Sequence, residues 1–289
     1  MKKKLHASSV AYLGPEATFT HQAATMLFGH DASYKDAETI EDVFLAVIKG
    51  ECGQGVVPVE NSYEGTVNIT QDMLNKYDAG ICAEYYLRIR QNLLSTEEEV
   101  NSVSRVYSHQ QAIAQCRSWL RKNMSRVQLT ETVSTGHAAR IVKNAPHSAA
   151  IGSSFAAERY GLNILCEGIE DDKNNVTRFF VIGKTTPAPT GDDKTSIMFF
   201  LKDRPGSLYK CLSVLAEKAV NMTRIESRPA KTKKWEYLFF VDIEGHKDDP
   251  RIDHALHEME RHCVFLKRLG SYPRGQMPDV ECKNVDGKK

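Results

Sequence analysis

The chain has no C-x-x-C pair: its seven cysteines (Cys52, Cys82, Cys116, Cys166, Cys211, Cys263 and Cys282) are odd in number and scattered. That spacing speaks against a disulfide frame or a cysteine zinc site and for reduced thiols. No apolar run reaches the ~18 residues of a membrane span. The basic start Met1-Lys2-Lys3-Lys4 is followed by Leu5-His6-Ala7-Ser8-Ser9, without the apolar stretch of a secretory signal. Excess charge is missing as well: 38 Lys and Arg stand against 37 Asp and Glu. No global field therefore draws nucleic acid or an anionic membrane, and an anionic ligand must be met by local groups. No G-x-G-x-x-G follows a strand, since Gly50-Glu51-Cys52-Gly53-Gln54-Gly55 has the wrong order, and there is no Walker motif. These absences predict a soluble cytoplasmic protein without a nucleotide cofactor.

What is present is ordinary for a globular chain: 289 residues, 41% hydrophobic and 26% charged, enough for about two domains. The stretch Asn174-Asn175-Val176-Thr177-Arg178-Phe179-Phe180-Val181 runs from polar residues straight into an apolar β-type segment. It places Thr177 and Arg178 at the start of a buried strand, where a rigid element could present them to a ligand. Taken alone, Thr177 could equally pack as a β-branched residue, with Arg178 in solvent.

Other polar clusters sit at comparable strand ends. Val10 to Leu13 reads as a strand stopped by Gly14-Pro15, before a helix capped by Thr18 or Thr20 and ended by Gly29. A strand, a glycine turn and a capped helix start can cradle an anion. Gly55 to Val59 reads as a strand that delivers Glu60-Asn61-Ser62, with Pro58 suggesting an edge or an end. A plain polar turn before Gly65 is the other reading. Arg105 to Tyr107 leads into Ser108-His109-Gln110-Gln111, where Ser108 with Gln111 fits a capping box. Gln115, seven residues after Ser108, falls on the same helical face, so both could bond one ligand. Leu129 to Val133 alternates as a strand before a helix start at Ser134-Thr135-Gly136. The alternation of strands and helices predicts α/β layers with largely parallel sheets.

Thr185 to Asp193 is a linker by composition. Beyond it, strand, helix, strand, strand, helix and strand follow between Thr195 and Leu269, the ferredoxin-like βαββαβ order. In detail, Pro205-Gly206 opens the first helix, Lys231 to Lys234 forms a hairpin tip, and Pro250 opens the second helix. His254 and His257 share a helix face and, with His262, invite a metal. No further ligand is placed convincingly, and an exposed helix face accounts for them. Residues 273–289 read as a frayed polar tail.

Taken together, Leu13-Gly14-Pro15-Glu16-Ala17-Thr18-Phe19, Pro58-Val59-Glu60-Asn61-Ser62, Ser108-His109-Gln110-Gln111 with Gln115-Cys116, and Thr177-Arg178-Phe179 resemble prephenate dehydratase. The second region resembles an ACT domain, with Glu226-Ser227-Arg228-Pro229 as its signature. The resemblance implies a two-lobed, periplasmic-binding-protein-like α/β catalytic domain over 8–184, with its site in the cleft. A linker over 185–193, an ACT domain over 194–272 and a tail over 273–289 complete the expected organisation. It implies decarboxylation and dehydration of prephenate to phenylpyruvate, without metal or cofactor, inhibited by L-phenylalanine, in a homodimer or homotetramer.

By the same resemblance Thr177 is the central catalytic group, with Glu60 and Glu131 as candidate proton donors. Thr18, Asn61, Ser62, Ser108, Gln115, Arg178 and Phe179 would hold substrate. Gly206, Ser207, Leu208, Glu226, Ser227, Arg228 and Pro229 would hold the effector. Ala17 stands where the family usually has Gly, implying a tighter approach of backbone to ligand. Gly206-Ser207-Leu208-Tyr209 stands in place of Gly-Ala-Leu-Val, which bears on effector identity. Because the ring carboxylate must leave as neutral CO2, cationic contacts are expected on the side-chain carboxylate and neutral donors on the ring carboxylate. Arogenate dehydratase and a non-catalytic amino-acid sensor are the alternatives.

Overall fold

The computed structural model describes residues 5, 7–229 and 237–279. The first lobe is built from β1 (Ser9–Leu13), α1 (Phe19–Phe28), β2 (Ser33–Ala37), α2 (Ile40–Ile48), β3 (Gln54–Asn61), β4 (Gly65–Thr66), α3 (Asn68–Lys76) and β5 (Gly80–Arg88). The chain then crosses to a second lobe: β6 (Asn92–Ser95), β7 (Arg105–Ser108), α4 (Gln110–Gln115), α5 (Arg117–Asn123), β8 (Gln128–Glu131), α6 (Thr135–Val142), β9 (Ser148–Gly152), α7 (Ser154–Tyr160) and β10 (Asn163–Cys166). It returns as β11 (Val176–Gly183), which inserts between β3 and β5 of the first sheet.

The two sheets run β2-β1-β3-β11-β5 and β10-β6-β9-β7-β8. They are less parallel than the alternation of elements predicts. β11 runs antiparallel to both its neighbours, and so does β6. The reason is the double crossing, which brings a strand home from the far lobe without a βαβ turn to orient it. Pro58 is likewise not on an edge, for β3 lies in the middle of its sheet. It sits where the β3–β11 register shifts and beyond Val56, the last residue that β1 pairs, so its missing N–H costs little.

Local signals explain the helices that flank the site and the one, α2, that backs its sheet. Thr18 caps α1, accepting from the His21 amide, and Gly29 ends it. Thr39 and Asp42 form a reciprocal capping box on α2, whose Ile40, Val43, Phe44 and Val47 are buried at helical spacing. Ser134 caps α6 through the His137 amide. At α4 the cap is His109, whose Nδ1 accepts from the Gln111 amide, and not Ser108.

The C-terminal unit comprises β12 (Asp193–Phe200), α8 (Ser207–Glu217), β13 (Met222–Pro229), β14 (Tyr237–Glu244), α9 (Pro250–Glu260) and β15 (Phe265–Pro273), with antiparallel order β13-β14-β12-β15. This is the expected βαββαβ unit; the Lys231–Lys234 tip lies outside the described residues, as does most of the tail. Of the tail's near end, Pro273 belongs to β15, and the Gly275 amide donates to Glu84 Oε1 at 2.8 Å. His254 and His257 are exposed and face Glu258 and Asp253, and no group of three or more potential ligands that could hold a metal occurs among the described residues. Nor is any described helix long and apolar enough to cross a membrane.

One feature of packing governs the rest. β11 is buried at every position from Thr177 to Gly183 because both its faces are covered. Phe179 and Val181 pack towards α1, whereas Phe180 and Ile182 share a core with α2 and with Met198, Phe240, Leu269 and Tyr272 of the C-terminal unit. At Gly270 a Cβ would overlap the Ile81 backbone, so β15 lies directly on β5. The two units therefore share a core.

Candidate active site

A cavity of about 270 Å³ opens between the lobes. Its floor is formed by Thr177 and Phe179 of β11, with Pro58 and Asn61 of β3 beside them. The crossing segments contribute Gln91 and Asn175, and α4 contributes His109 and Gln115. The starts of α1, at Thr18 to Thr20, and of α6, at Ser134 and Thr135, face it from opposite lobes.

The polar groups form one connected row. Asn61 Nδ2 donates to Thr177 Oγ1 at 2.9 Å and to Asn175 Oδ1 at 2.7 Å. Asn175 Nδ2 donates to Gln115 Oε1 at 3.1 Å, which also accepts from Gln91 Nε2 at 3.4 Å. The Oδ1 of Asn61 accepts the backbone amides of Tyr63 and Glu64, which fixes how the side-chain amide is turned. All four hydrogen-bonding positions of Asn61 are thus occupied by protein. It orients Thr177 and Asn175 and has no group left for substrate, contrary to the expectation of direct contact. Gln115 keeps its amide hydrogens for a ligand.

The row is anchored at the hinge, where the crossing strands bond each other through Ile89 N to Asn175 O and Ile169 N to Gln91 O, each 2.8 Å. Buried Glu170 accepts the Gln91 amide at 2.8 Å.

Several expected residues lie elsewhere. Ser108 is fully buried and donates to Ile151 O at 2.8 Å inside the second sheet, so it shares no ligand with Gln115. Ser62 is outside the cavity and ties β3 to the crossing strand, accepting from the Val176 amide at 3.0 Å. Glu131 is exposed at the end of the edge strand β8 and does not line the cavity. Glu60 and Arg178 point through the sheet to the opposite face, where Arg224 and Asp242 pair with them. Strand alternation is the cause, because their neighbours Asn61 and Thr177 face the cleft.

Among the described residues the cavity is lined by no lysine or arginine, and His109 is its one titratable side chain. The cationic contact expected for the side-chain carboxylate is therefore not offered by the described lining residues; helix starts face the cavity instead, and their unpaired first-turn amides carry partial positive charge. Gln91 goes unmarked in the sequence, and Asn175 stands there only as one of the polar residues leading to Thr177, without a role of its own. They sit in segments without period, and their only signal was adjacency to strand ends.

Ala17 does not line the cavity. Its φ of 63° lies in the left-handed region, which accounts for a glycine preference there through backbone conformation, not ligand approach. Its amide donates to His21 Nδ1 at 3.1 Å. His21, buried and stacked on Tyr12 with ring centroids 4.3 Å apart, has its pKa lowered chiefly by burial.

The proposed effector residues divide between two faces. Ser207 and Leu208, next to Gly206 at the start of α8, line a second cavity of about 120 Å³ with Tyr237 and Phe239. Pro229 and Ser227 are the register partners of those two aromatics. Glu226 and Arg228 face the other way and bond Thr66, Gln71 and Asp72 of the first lobe. Tyr209 is 76% exposed and outside this cavity.

Comparison with known proteins matches this geometry to a family. The prephenate dehydratase family model covers residues 10–187 and the ACT domain model residues 195–261. A bifunctional chorismate mutase/prephenate dehydratase of Aquifex aeolicus is 49% identical over 279 residues, spanning 96% of this chain and 76% of that protein. A crystal structure of prephenate dehydratase in complex with L-Phe from Arthrobacter aurescens superposes with a TM-score of 0.84 at 33% identity, covering 92% of this chain and 90% of that one. A structure described as a novel type of quorum quenching acylase gives the same TM-score at 28% identity, covering 92% and 97%. Since a dehydratase model spans both lobes and the cleft between them, and a relative is nearly half identical almost end to end, the chain belongs to the prephenate dehydratase family.

Proposed function

We propose that the cleft carries out the decarboxylative dehydration of prephenate to phenylpyruvate, with Thr177 at the reacting centre. Loss of CO2 and water from opposite ring positions yields a benzene ring, so the overall step is strongly downhill. The protein must hold a dianion and assist departure of a hydroxyl. The observation that carries this reading is the Asn61–Thr177 bond. It fills an acceptor site on the threonine oxygen and leaves the hydroxyl proton free to donate to the leaving group. The starts of α1 and α6 attract the carboxylates without a fixed cation that would trap the ring carboxylate in the ground state. Gln115 and Phe179 position the ring.

Acyl transfer, as in the acylase neighbour, calls for a nucleophile bonded to a base. The hydrogen-bond partner of the Thr177 hydroxyl among the described residues is an amide.

L-Phenylalanine is the proposed effector, bound on the outer face of the ACT domain near Ser207, Leu208, Ser227 and Pro229. Exposed Tyr209, Ile225, Tyr237, Val264 and Phe265 support pairing of two copies through this domain, as a homodimer or within a homotetramer. A cytoplasmic location fits the unpaired cysteines.

The test is ultraviolet detection of phenylpyruvate from prephenate by the wild-type chain and by Thr177→Ala, with and without phenylalanine, and with arogenate as a competing substrate. Turnover that survives Thr177→Ala unchanged would overturn the assignment.

A further inference from the structure

Two charged residues adjoin the cleft pair in sequence, Arg178 after Thr177 and Glu60 before Asn61, and both reach through the sheet to the ACT domain. Arg178 is 5% exposed. Its Nη1 donates to Asp242 Oδ2 at 2.6 Å, its Nε to Glu84 Oε2 at 2.8 Å, and its Nη2 to the Tyr272 hydroxyl at 3.2 Å. Ser196 Oγ donates to the other oxygen of Asp242 at 2.6 Å, and Lys194 Nζ pairs with Glu84 at 2.9 Å. Arg224 Nε donates to Glu60 Oε2 at 3.0 Å, and its Nη2 to Thr66 Oγ1 at 2.9 Å. Glu60 and Arg178 are register partners on β3 and β11; Arg224 and Asp242 are register partners on β13 and β14. One rung of the ACT sheet thus grips one rung of the catalytic sheet.

The buried part of this grip is charge-balanced: Arg178 and Lys194 offset Glu84 and Asp242. Such pairs add little net stability, but losing one member strands a charge and forces its neighbours to move. The Asn61–Thr177 bond spans the same two strands one residue along, so any slip of β11 against β3 alters it.

Resting on the dehydratase reading above, we propose that Asp242 and Arg224 of the ACT domain are positioning residues for the reaction. They hold β11 and β3 in the register that aims the Thr177 hydroxyl. The strand that carries Arg224, Glu226 and Arg228 on its inner face carries Ile225, Ser227 and Pro229 on the outer one. An amino acid bound outside therefore acts on the cleft through these pairs.

The test compares Asp242→Asn, Arg224→Gln, Glu60→Gln and the Glu60→Gln/Arg224→Gln double variant with Lys267→Met. Lys267 is an interface contact whose hydrogen bonds go to the carbonyls of Leu74 and Tyr77, in and just after α3, and not to β3 or β11. Asp242→Asn and Arg224→Gln should lower kcat about 10- to 100-fold and blunt inhibition by phenylalanine. KM should stay within about twofold, as befits loss of aim and not of binding. The double variant should fall no further than the worse single one. Lys267→Met should keep both turnover and the phenylalanine response.

Amide hydrogen exchange over 59–61 and 177–180 should quicken in Asp242→Asn, Arg224→Gln and Glu60→Gln, each of which breaks one of these pairs, and not in Lys267→Met. That readout needs no turnover, so it stands even if the wild-type chain forms no phenylpyruvate, a result that would sink the dehydratase reading instead. If Asp242→Asn does not fold, Arg224→Gln and Glu60→Gln, at the less buried pair, decide. Wild-type turnover, phenylalanine response and exchange in folded Arg224→Gln would overturn the proposal. So would equal losses in Lys267→Met, since they would mean general loosening of the interface.

Discussion

Asn61 and Thr177 lie opposite each other on antiparallel neighbours β3 and β11, and the side-chain amide of one donates to the hydroxyl of the other at 2.9 Å. Removing the hydroxyl should be far worse than shortening the side chain. Thr177→Ala is expected to lower kcat about 100- to 1,000-fold, the range of a lost hydrogen-bond donor to a group on which charge develops, whereas Thr177→Ser should retain much of the activity. Steady-state phenylpyruvate formation distinguishes the two; similar values for Ala and Ser would remove the hydroxyl from the mechanism.

Asn61→Ala should act indirectly. It leaves the acceptors on Thr177 and Asn175 without a donor and lets both side chains turn. A fall in kcat of about 10- to 100-fold is expected from lost orientation. A KM change with kcat intact would instead mean that Asn61 touches the substrate.

His109 and Glu131 make a discriminating pair. His109 lines the cleft and caps α4, while Glu131 stands exposed on the edge strand. His109→Asn keeps a capping side chain and should still reduce kcat, about tenfold or more, if a titratable group in the cleft assists proton transfer. Glu131→Gln should leave kcat close to wild type, and a large loss there would mean that β8 moves into the cleft during turnover.

Much of this fold is legible in the sequence, and the failures share a cause. The βαββαβ unit is legible because Pro250 opens α9 and the apolar period switches cleanly between helix and strand. Which way Glu60 and Arg178 point is not legible. β3 and β11 are covered on both faces, so no polar–apolar alternation marks a side. The same continuous burial hides Glu84 in β5, whose buried ion pairs need partners from β11 and β12. Thr177 was legible as a strand-end polar residue, whereas Asn175 and Gln91 belong to crossing segments that have no period to read.

His21 gives stability a pH dependence of known sign. Burial lowers its native pKa below the usual 6.5, so on acidification the unfolded chain takes up the proton first. Stability then rises with pH through this window: the contribution is full above about 6.5 and is lost as pH falls towards the native value. Protonation at Nδ1 would also break the bond from the Ala17 amide beside the α1 cap. Thermal melting from pH 7.5 to 5 should show a drop that shrinks in His21→Gln. An equal drop in both proteins would assign the acid sensitivity to other groups.

Closure of the lobes depends on a glycine that the cleft itself does not use. Gly136, in the first turn of α6, lies so close to the first lobe that a Cβ would overlap the carbonyl oxygen of Glu16. Around it, Arg159 Nε donates to Glu16 Oε1 at 2.6 Å, and Phe155 meets the His21 ring edge-on at 5.1 Å. Gly136→Ala cannot be absorbed by rotating a side chain, because the obstacle is backbone on both sides. The lobes must separate, moving the start of α6 away from the start of α1 and weakening the paired anion site. Overpacking of this kind costs about 1–3 kcal/mol, which as lost binding corresponds to a rise in KM of roughly 5- to 150-fold. Small-angle scattering should show a larger radius of gyration in the variant, and phenylpyruvate assays should show the higher KM with kcat less affected. An unchanged radius together with an unchanged KM would mean that substrate binds with the lobes already apart.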